Sequence, residues 1–344
     1  MTSERRQPNV VVLGGGSWGT TVASICSRRV PTLQWVRSPE TADDINKNHR
    51  NSAYLGDEVE LSETLRATTD FTEAANCADV VVMGVPSHGF RDVLRTAAPA
   101  IAPDAIVVSL TKGIEQGTLA RPSEIIAAEL PGRDPGTIAV LTGPNLVREI
   151  AEGQPTASVV ATPDADVAAR LQQLFMTPGF RVYTNPDVVG CEIAGATKNV
   201  IAIAVGAAAG FGFGDNARAA LITRGLAEMT RLGVALGGDP LTFAGLAGVG
   251  DLVATCTSDQ SRNRTVGYEW GRGRPLEEIT NASPMVAEGV RTAGGVVELA
   301  ARHRVDMPIA AMVSGVIEGR SAPEDVIGTF MGRAAKSELH GIRG

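Results

Sequence analysis

Residues 10–20 read Val-Val-Val-Leu-Gly-Gly-Gly-Ser-Trp-Gly-Thr. A short β-branched run ends in Gly14-x-Gly16-x-x-Gly19, and a helical pattern follows at once. This order restricts the chain to a strand, a tight turn and a helix packed back on the strand. Gly14 permits the turn, Gly16 lets the backbone approach a pyrophosphate, and Gly19 lets the helix lie close to the strand. The helix N-terminus then receives the phosphate charge. A chain with 39 glycines produces such a spacing by chance. The β-branched run before it and the helix after it are what make it a dinucleotide fingerprint.

The bulk numbers narrow the class. A length of 344 residues suggests two domains, and 44% hydrophobic residues suffice for a large core. The net charge of −7 gives no general basic field for nucleic acid, so an anionic substrate needs a local cluster of cations. Cys26, Cys77, Cys191 and Cys256 lie far apart with no C-x-x-C pair, which suits free thiols in a reducing cytoplasm. The four histidines show no metal-ligand spacing, so no metal is expected. The polar start and the short apolar run behind it do not resemble a secretory signal. The long apolar stretch 193–213 contains Lys198 and Asn199 and reads as a buried core helix rather than a membrane span.

Up to about residue 185, β-rich runs (10–13, 32–36, 80–85, 106–110, 138–141, 157–161 and 181–183) alternate with helical patterns such as 19–29, 91–98, 121–129 and 166–176. This alternation predicts an α/β fold, a mostly parallel sheet covered on both faces. Beyond Pro186 the β-rich runs stop, and helical segments over 188–208, 217–236 and 286–303 predict an all-α domain. The division is therefore 1–187 and 188–344.

Several polar groups stand out against this frame. Arg37 and Ser38 follow the second strand, where an NAD site usually carries an acidic residue for the ribose. An Arg there accommodates the 2′-phosphate of NADP; the alternative is a solvated side chain. Val85-Pro86-Ser87-His88, Thr111-Lys112-Gly113 and Thr142-Gly143-Pro144-Asn145 each follow an apolar strand, at the end of the sheet where ligands bind. Lys112 is placed to meet an anion or a carbonyl, or is simply a loop lysine. Lys198 has Ala194, Gly195, Ile201 and Ala202 as its helical neighbours and so points into an apolar stripe. A lysine buried there has its pKa lowered by desolvation and becomes usable as an acid or base. Asp251, in Gly-Val-Gly-Asp-Leu, is either the partner of Lys198 or a helix cap. Ser261-Arg262-Asn263-Arg264 offers a guanidinium with amide and hydroxyl donors for a phosphate, or is a solvated face. Another two-domain dehydrogenase acting on a hydroxy acid, or a cofactor-binding sensor without turnover, remain as rival readings; the buried lysine disfavours the sensor.

Taken together, the segments Gly-Gly-Gly-Ser-Trp-Gly-Thr, Val-Pro-Ser-His, Thr-Lys-Gly, Thr-Gly-Pro-Asn, Ala-Thr-Lys-Asn-Val-Ile-Ala-Ile, Asn-Ala-Arg-Ala-Ala-Leu-Ile-Thr-Arg-Gly, Gly-Val-Gly-Asp-Leu and Gln-Ser-Arg-Asn-Arg resemble the bacterial NAD(P)-dependent glycerol-3-phosphate dehydrogenase family in order and spacing, from residue 10 to about 335. The resemblance implies a Rossmann-like domain followed by an all-helical domain of the 6-phosphogluconate dehydrogenase C-terminal type. It implies reversible hydride transfer between NADPH or NADH, with NADPH preferred, and dihydroxyacetone phosphate. The product is sn-glycerol 3-phosphate for glycerophospholipid synthesis. It further implies a cytoplasmic homodimer.

Roles follow residue by residue from the same resemblance. Gly14, Gly16, Ser17, Trp18, Gly19, Arg37, Lys112, Val147, Arg262, Val286 and Glu288 would contact the cofactor. Lys112, Gly143, Asn145, Lys198, Asp251, Ser261, Arg262 and Asn263 would contact the substrate, and Lys198 would donate and accept the proton. The chain departs from the common pattern at Gly15, where Ala is usual, at Asn145, where Ser or Thr is usual, and at Val147, where Ala is usual.

Overall fold

The computed structural model describes residues 9–75, 78–282 and 287–320. The chain forms two compact units. The first runs up to Thr111 and resumes over Pro122–Val188; the second takes Lys112–Arg121 and continues from Val189. The excursion of residues 112–121 into the second unit is not visible in the sequence, where the change from strands to helices comes at one point.

The first unit is built on an eight-stranded sheet: β1 (Val10–Leu13), β2 (Thr32–Trp35), β3 (Arg66–Thr68), β4 (Val80–Met83), β5 (Ile106–Ser109), β6 (Ile138–Thr142), β7 (Thr156–Ala161) and β8 (Phe180–Asn185). Their spatial order is β3-β2-β1-β4-β5-β6-β7-β8. All neighbours are parallel except β6 and β7. β1, β4 and β5 read as near-continuous β-branched runs because both faces are covered, and every residue of β1 and β4 is buried. The order reverses between β1 and β4, so the switch point where doubly wound sheets bind ligands lies at their carboxyl ends. The sequence patterns anticipated seven of these strands. β3 escaped because it is a three-residue edge strand, Arg-Ala-Thr, with one buried side chain.

The second unit is helical. Its axis is the helix Val188–Gly210, whose residues from Gly190 to Ala208 are all buried. A helix apolar on every side belongs in a core, and its apolar stretch is long enough to cross a membrane only by length and composition. Around it lie helices Asp215–Ala235, Asp251–Thr257, Arg262–Gly271, Glu288–Arg302 and Pro308–Ile317. The helix Arg262–Gly271 crosses the axis at backbone contact. A side chain at Gly206 would strike the Arg264 carbonyl, and one at Gly267 would strike that of Ile203. This close crossing fixes where residues 261–263 sit.

Glu228 is buried in the helix Asp215–Ala235, and its carboxylate accepts hydrogen bonds from the Ile309 and Ala310 N–H groups at 2.8 and 3.3 Å. These are orphan donors of the helix Pro308–Ile317, whose own N-cap residue Met307 supplies no side-chain acceptor. Burial pushes the Glu228 carboxyl up to about 7, against the pull of the two N–H groups. The folded chain thus holds this proton more tightly than the unfolded chain. The resulting contribution to stability is complete below the ordinary value of 4.5 and is lost as pH rises through about 7. We predict that Glu228→Gln removes a pH-dependent loss of up to about 3 kcal/mol. Urea unfolding across that window would show the parent's midpoint falling more steeply than the variant's; parallel slopes would contradict the assignment.

Candidate active site

In the first unit the glycine turn sits at the switch point. Gly14 has φ 126°, and a Cβ there would clash with the Gly84 carbonyl oxygen. A Cβ on Gly19 would meet the Gly14 carbonyl oxygen at 2.7 Å, whereas one on Gly16 would meet nothing within 4 Å. Two glycines are therefore demanded by the protein's own backbone, and the third faces open space, the arrangement a pyrophosphate needs. Gly16 precedes the helix Ser17–Ser27, which has no side-chain cap, and Ser17 and Trp18 open its first turn. The turn is held from beneath. Gln34 donates to the Gly14 carbonyl at 2.8 Å, Asn51 donates to the Gly15 carbonyl at 3.0 Å, and both donate to Thr20 Oγ1. Neither residue stood out in the sequence, since buried amides 20 and 36 positions from their acceptors carry no local signature.

The other first-unit candidates lie at strand ends. Arg37 is exposed just beyond β2, and Ser38 caps the short helix that follows. Gly143 follows β6 with φ 120°, and a Cβ there would crowd Ser158. Asn145 Oδ1 accepts from the Ser158 hydroxyl at 2.9 Å, while its Nδ2 is buried with no acceptor among the described residues. Trp18 Nε1 is likewise buried with no partner among the described residues, its ring edge-on to Phe180 at 6.2 Å. Val147 begins the helix Val147–Ala151. Buried orphan donors are rare in native interiors, and a bound acceptor would satisfy them.

In the second unit, three charged groups converge. A π turn over Leu246–Gly250 runs directly into the helix Asp251–Thr257 and aims Asp251 inward. Asp251 Oδ1 accepts from Lys198 Nζ and Oδ2 from Lys112 Nζ, both at 2.6 Å. Lys198 also donates to the Thr255 hydroxyl at 2.6 Å. The exposed fractions of the Lys112, Lys198 and Asp251 side chains are 15%, 7% and 2%, so these charges interact with little solvent screening. Burial opposes ionisation of Asp251, but Lys112 and Lys198 outweigh it and hold the carboxyl below its ordinary value. Burial pushes Lys112 down to about 8; Lys198 adds to that effect and Asp251 resists it. Two ammonium groups on one carboxylate leave an excess positive charge in the triad.

The polar cluster after residue 260 is divided in its tasks. Ser261 caps the helix Arg262–Gly271 by accepting from the Arg264 N–H at 3.3 Å. Asn263 donates to Asn199 Oδ1 at 3.0 Å and accepts from the Gly289 N–H at 2.9 Å. Arg262 is exposed, with Glu288, the first residue of the helix Glu288–Arg302, close enough to act on its charge. Val286 lies outside the described residues.

Two family models cover nearly the whole chain: the NAD-dependent glycerol-3-phosphate dehydrogenase N-terminus over residues 9–168 and the C-terminus over residues 187–328. The chain belongs to this family. It is 58% identical over 341 residues to a glycerol-3-phosphate dehydrogenase (NAD(P)+) of Mycobacterium avium, covering 99% of each chain. A relative of the same description from Thermobifida fusca is 50% identical over 97% of this chain and 99% of its own. Among solved structures, a glycerol-3-phosphate dehydrogenase from Coxiella burnetii matches with a TM-score of 0.89 and 35% identity, over 95% of this chain and 99% of that one.

Within this glycerol-3-phosphate dehydrogenase family member, the Lys198–Asp251 pairing expected from the sequence is present, and Asp251 is not spent as a cap. Lys112 as a second partner and Thr255 as a third were not anticipated. Thr255 could have been found, since it lies four residues after Asp251 on the same helix face. Removing the carboxylate should leave two buried ammonium groups facing each other. We predict that Asp251→Asn costs about 3–5 kcal/mol of stability at neutral pH. The deficit should shrink as pH is raised towards about 8, the parent value of Lys112, because without Asp251 to hold its charge Lys112 discharges below that value in the variant. Urea titrations below and above that pH check this; a pH-independent deficit would contradict it.

Proposed function

We propose that this chain is an NAD(P)-dependent sn-glycerol-3-phosphate dehydrogenase that interconverts dihydroxyacetone phosphate and sn-glycerol 3-phosphate, for glycerophospholipid synthesis. The observation that carries the reading is the buried Lys112–Asp251–Lys198 triad in a member of this family. Its excess positive charge suits an oxygen that becomes anionic as a carbonyl is reduced.

The first unit fits a dinucleotide. Gly14, Gly16 and Gly19 with Ser17 and Trp18 would hold the pyrophosphate side, and Gly16 keeps its face clear. Arg37 is exposed where a 2′-phosphate would lie, which supports NADPH as the preferred cofactor. Val147, Arg262, Val286 and Glu288 complete the proposed cofactor contacts. A bound nicotinamide supplies the hydride in one direction and takes it back in the other.

The remaining chemistry belongs to side chains. Lys198 Nζ gives a proton to the C2 oxygen of the ketone as it is reduced, and takes one from the C2 hydroxyl in the reverse direction. Asp251 and Thr255 fix the position of that ammonium group through hydrogen bonds. Lys112 adds positive charge beside it and can deprotonate near pH 8. Arg262, Ser261 and Asn263 are assigned to the substrate phosphate end, and Gly143 and Asn145 to its other contacts. The Asn145 Nδ2 donor, buried without an acceptor among the described residues, supports a polar contact there. Phosphate binding remote from C2 serves orientation. Family membership and the free, buried thiols of Cys26 and Cys256 support a cytoplasmic enzyme, and we propose that it acts as a homodimer.

Lys198→Ala should lower kcat by on the order of 100-fold or more, the usual range for loss of general acid–base catalysis, while cofactor affinity stays at the parent level. Arg262→Ala should chiefly raise KM for the phosphorylated ketone. Steady-state kinetics with NADPH and a separate fluorescence titration of cofactor binding test both. An unchanged kcat in Lys198→Ala would refute the assigned proton donor.

A further inference from the structure

Lys112 reaches Asp251 from a ten-residue strap, residues 112–121, that belongs to the second unit. At the start of the strap, Asn199 donates to the Lys112 carbonyl at 3.2 Å. At its end, Arg121 Nη1 meets Glu192 Oε2 at 2.6 Å, with the Glu192 side chain 1% exposed. Glu192 and Asn199 are seven residues apart on the helix Val188–Gly210, two turns along one face. The same helix face therefore holds both ends of the strap. Between the ends, Ile114 and Leu119 are buried in the helical core, Gln116 donates to the Arg291 carbonyl at 3.0 Å, and Leu119 adopts φ 63°. A strained backbone residue and a charge pair buried away from water both cost free energy that the surroundings must offset.

We infer that the Arg121–Glu192 ion pair is a positioning device that holds the strap closed so that Lys112 stays on Asp251. Arg121 and Glu192 are positioning residues. They act through the placement of Lys112. The inference rests on the dehydrogenase reading for its kinetic consequence, but not for its structural one. Glu192→Gln keeps the shape of the side chain and removes its charge, leaving the Arg121 fork without its carboxylate.

The test compares the full-length parent, Glu192→Gln and Arg121→Lys. In Glu192→Gln, kcat should fall on the order of 10- to 100-fold, the scale expected for misplacing a group in the site. NADPH affinity should be unchanged, and the limb of the pH–rate profile that reports Lys112 should move from its parent position. Trypsin should cut selectively at Lys112–Gly113, a bond protected in the parent, because the strap opens locally while the rest of the unit stays folded. Arg121→Lys, which keeps the charge without the planar fork, should lie between the two.

Parent-like kcat and parent-like protection of Lys112–Gly113 in Glu192→Gln would overturn the inference. So would a loss of kcat with the bond still protected and the pH profile unmoved. If Glu192→Gln does not fold, Arg121→Lys decides: enhanced cleavage at Lys112–Gly113 with reduced kcat supports the strap, and parent behaviour in both refutes it. If the parent fails to reduce dihydroxyacetone phosphate, the functional reading fails, and the cleavage pattern still reports on the strap.

Discussion

The structure of the second unit depends on one carboxylate shared by two ammonium groups. Asp251 could not stay ionised in this interior without Lys112 and Lys198, and neither lysine would be stable there without it. Meeting that requirement brings together three stretches distant in sequence: the core helix at Lys198, the π turn before Asp251 and the strap at Lys112. The apolar core around Val188–Gly210 supplies the burial, and burial is what makes the charges strong. A surface pair of the same residues would be screened and worth little.

The first unit solves a different problem, which is to expose backbone rather than to bury charge. Gly14 and Gly19 let strand, turn and helix close to backbone contact, and Gly16 stays open on the outside. Gln34 and Asn51 satisfy the turn's carbonyls from within, so the turn is preorganised before any ligand arrives. The oxidoreductase chemistry then needs few groups: a surface that accepts a phosphate chain, and one proton donor with a fixed position.

Much of this was legible in the sequence, for identifiable reasons. Two-sided burial writes itself as β-branched runs, so β1, β4 and β5 were plain, whereas the edge strand β3 has no such pattern. Lys198 was visible because small apolar neighbours leave a lysine no surface to reach. Lys112 was visible as a strand-end lysine, but its partner is 139 residues away, and no periodicity links the two. The residues around Ser261 looked like a phosphate cluster; the structure shows Ser261 capping a helix and Asn263 tying two helix ends together. These tasks cannot be read from composition, because the same groups suit a cap, a helix tie or an anion site. The return of residues 112–121 to the helical unit is a tertiary event with no local signature.

On the reading proposed above, this buried cationic triad serves a phosphorylated ketone. The most direct measurement is NADPH oxidation by the parent enzyme with dihydroxyacetone phosphate, run beside unphosphorylated dihydroxyacetone and beside NADH. Rapid turnover is expected with the phosphorylated ketone only, and at a faster rate with NADPH than with NADH. Protein that binds NADPH yet oxidises it with neither ketone would contradict the claim.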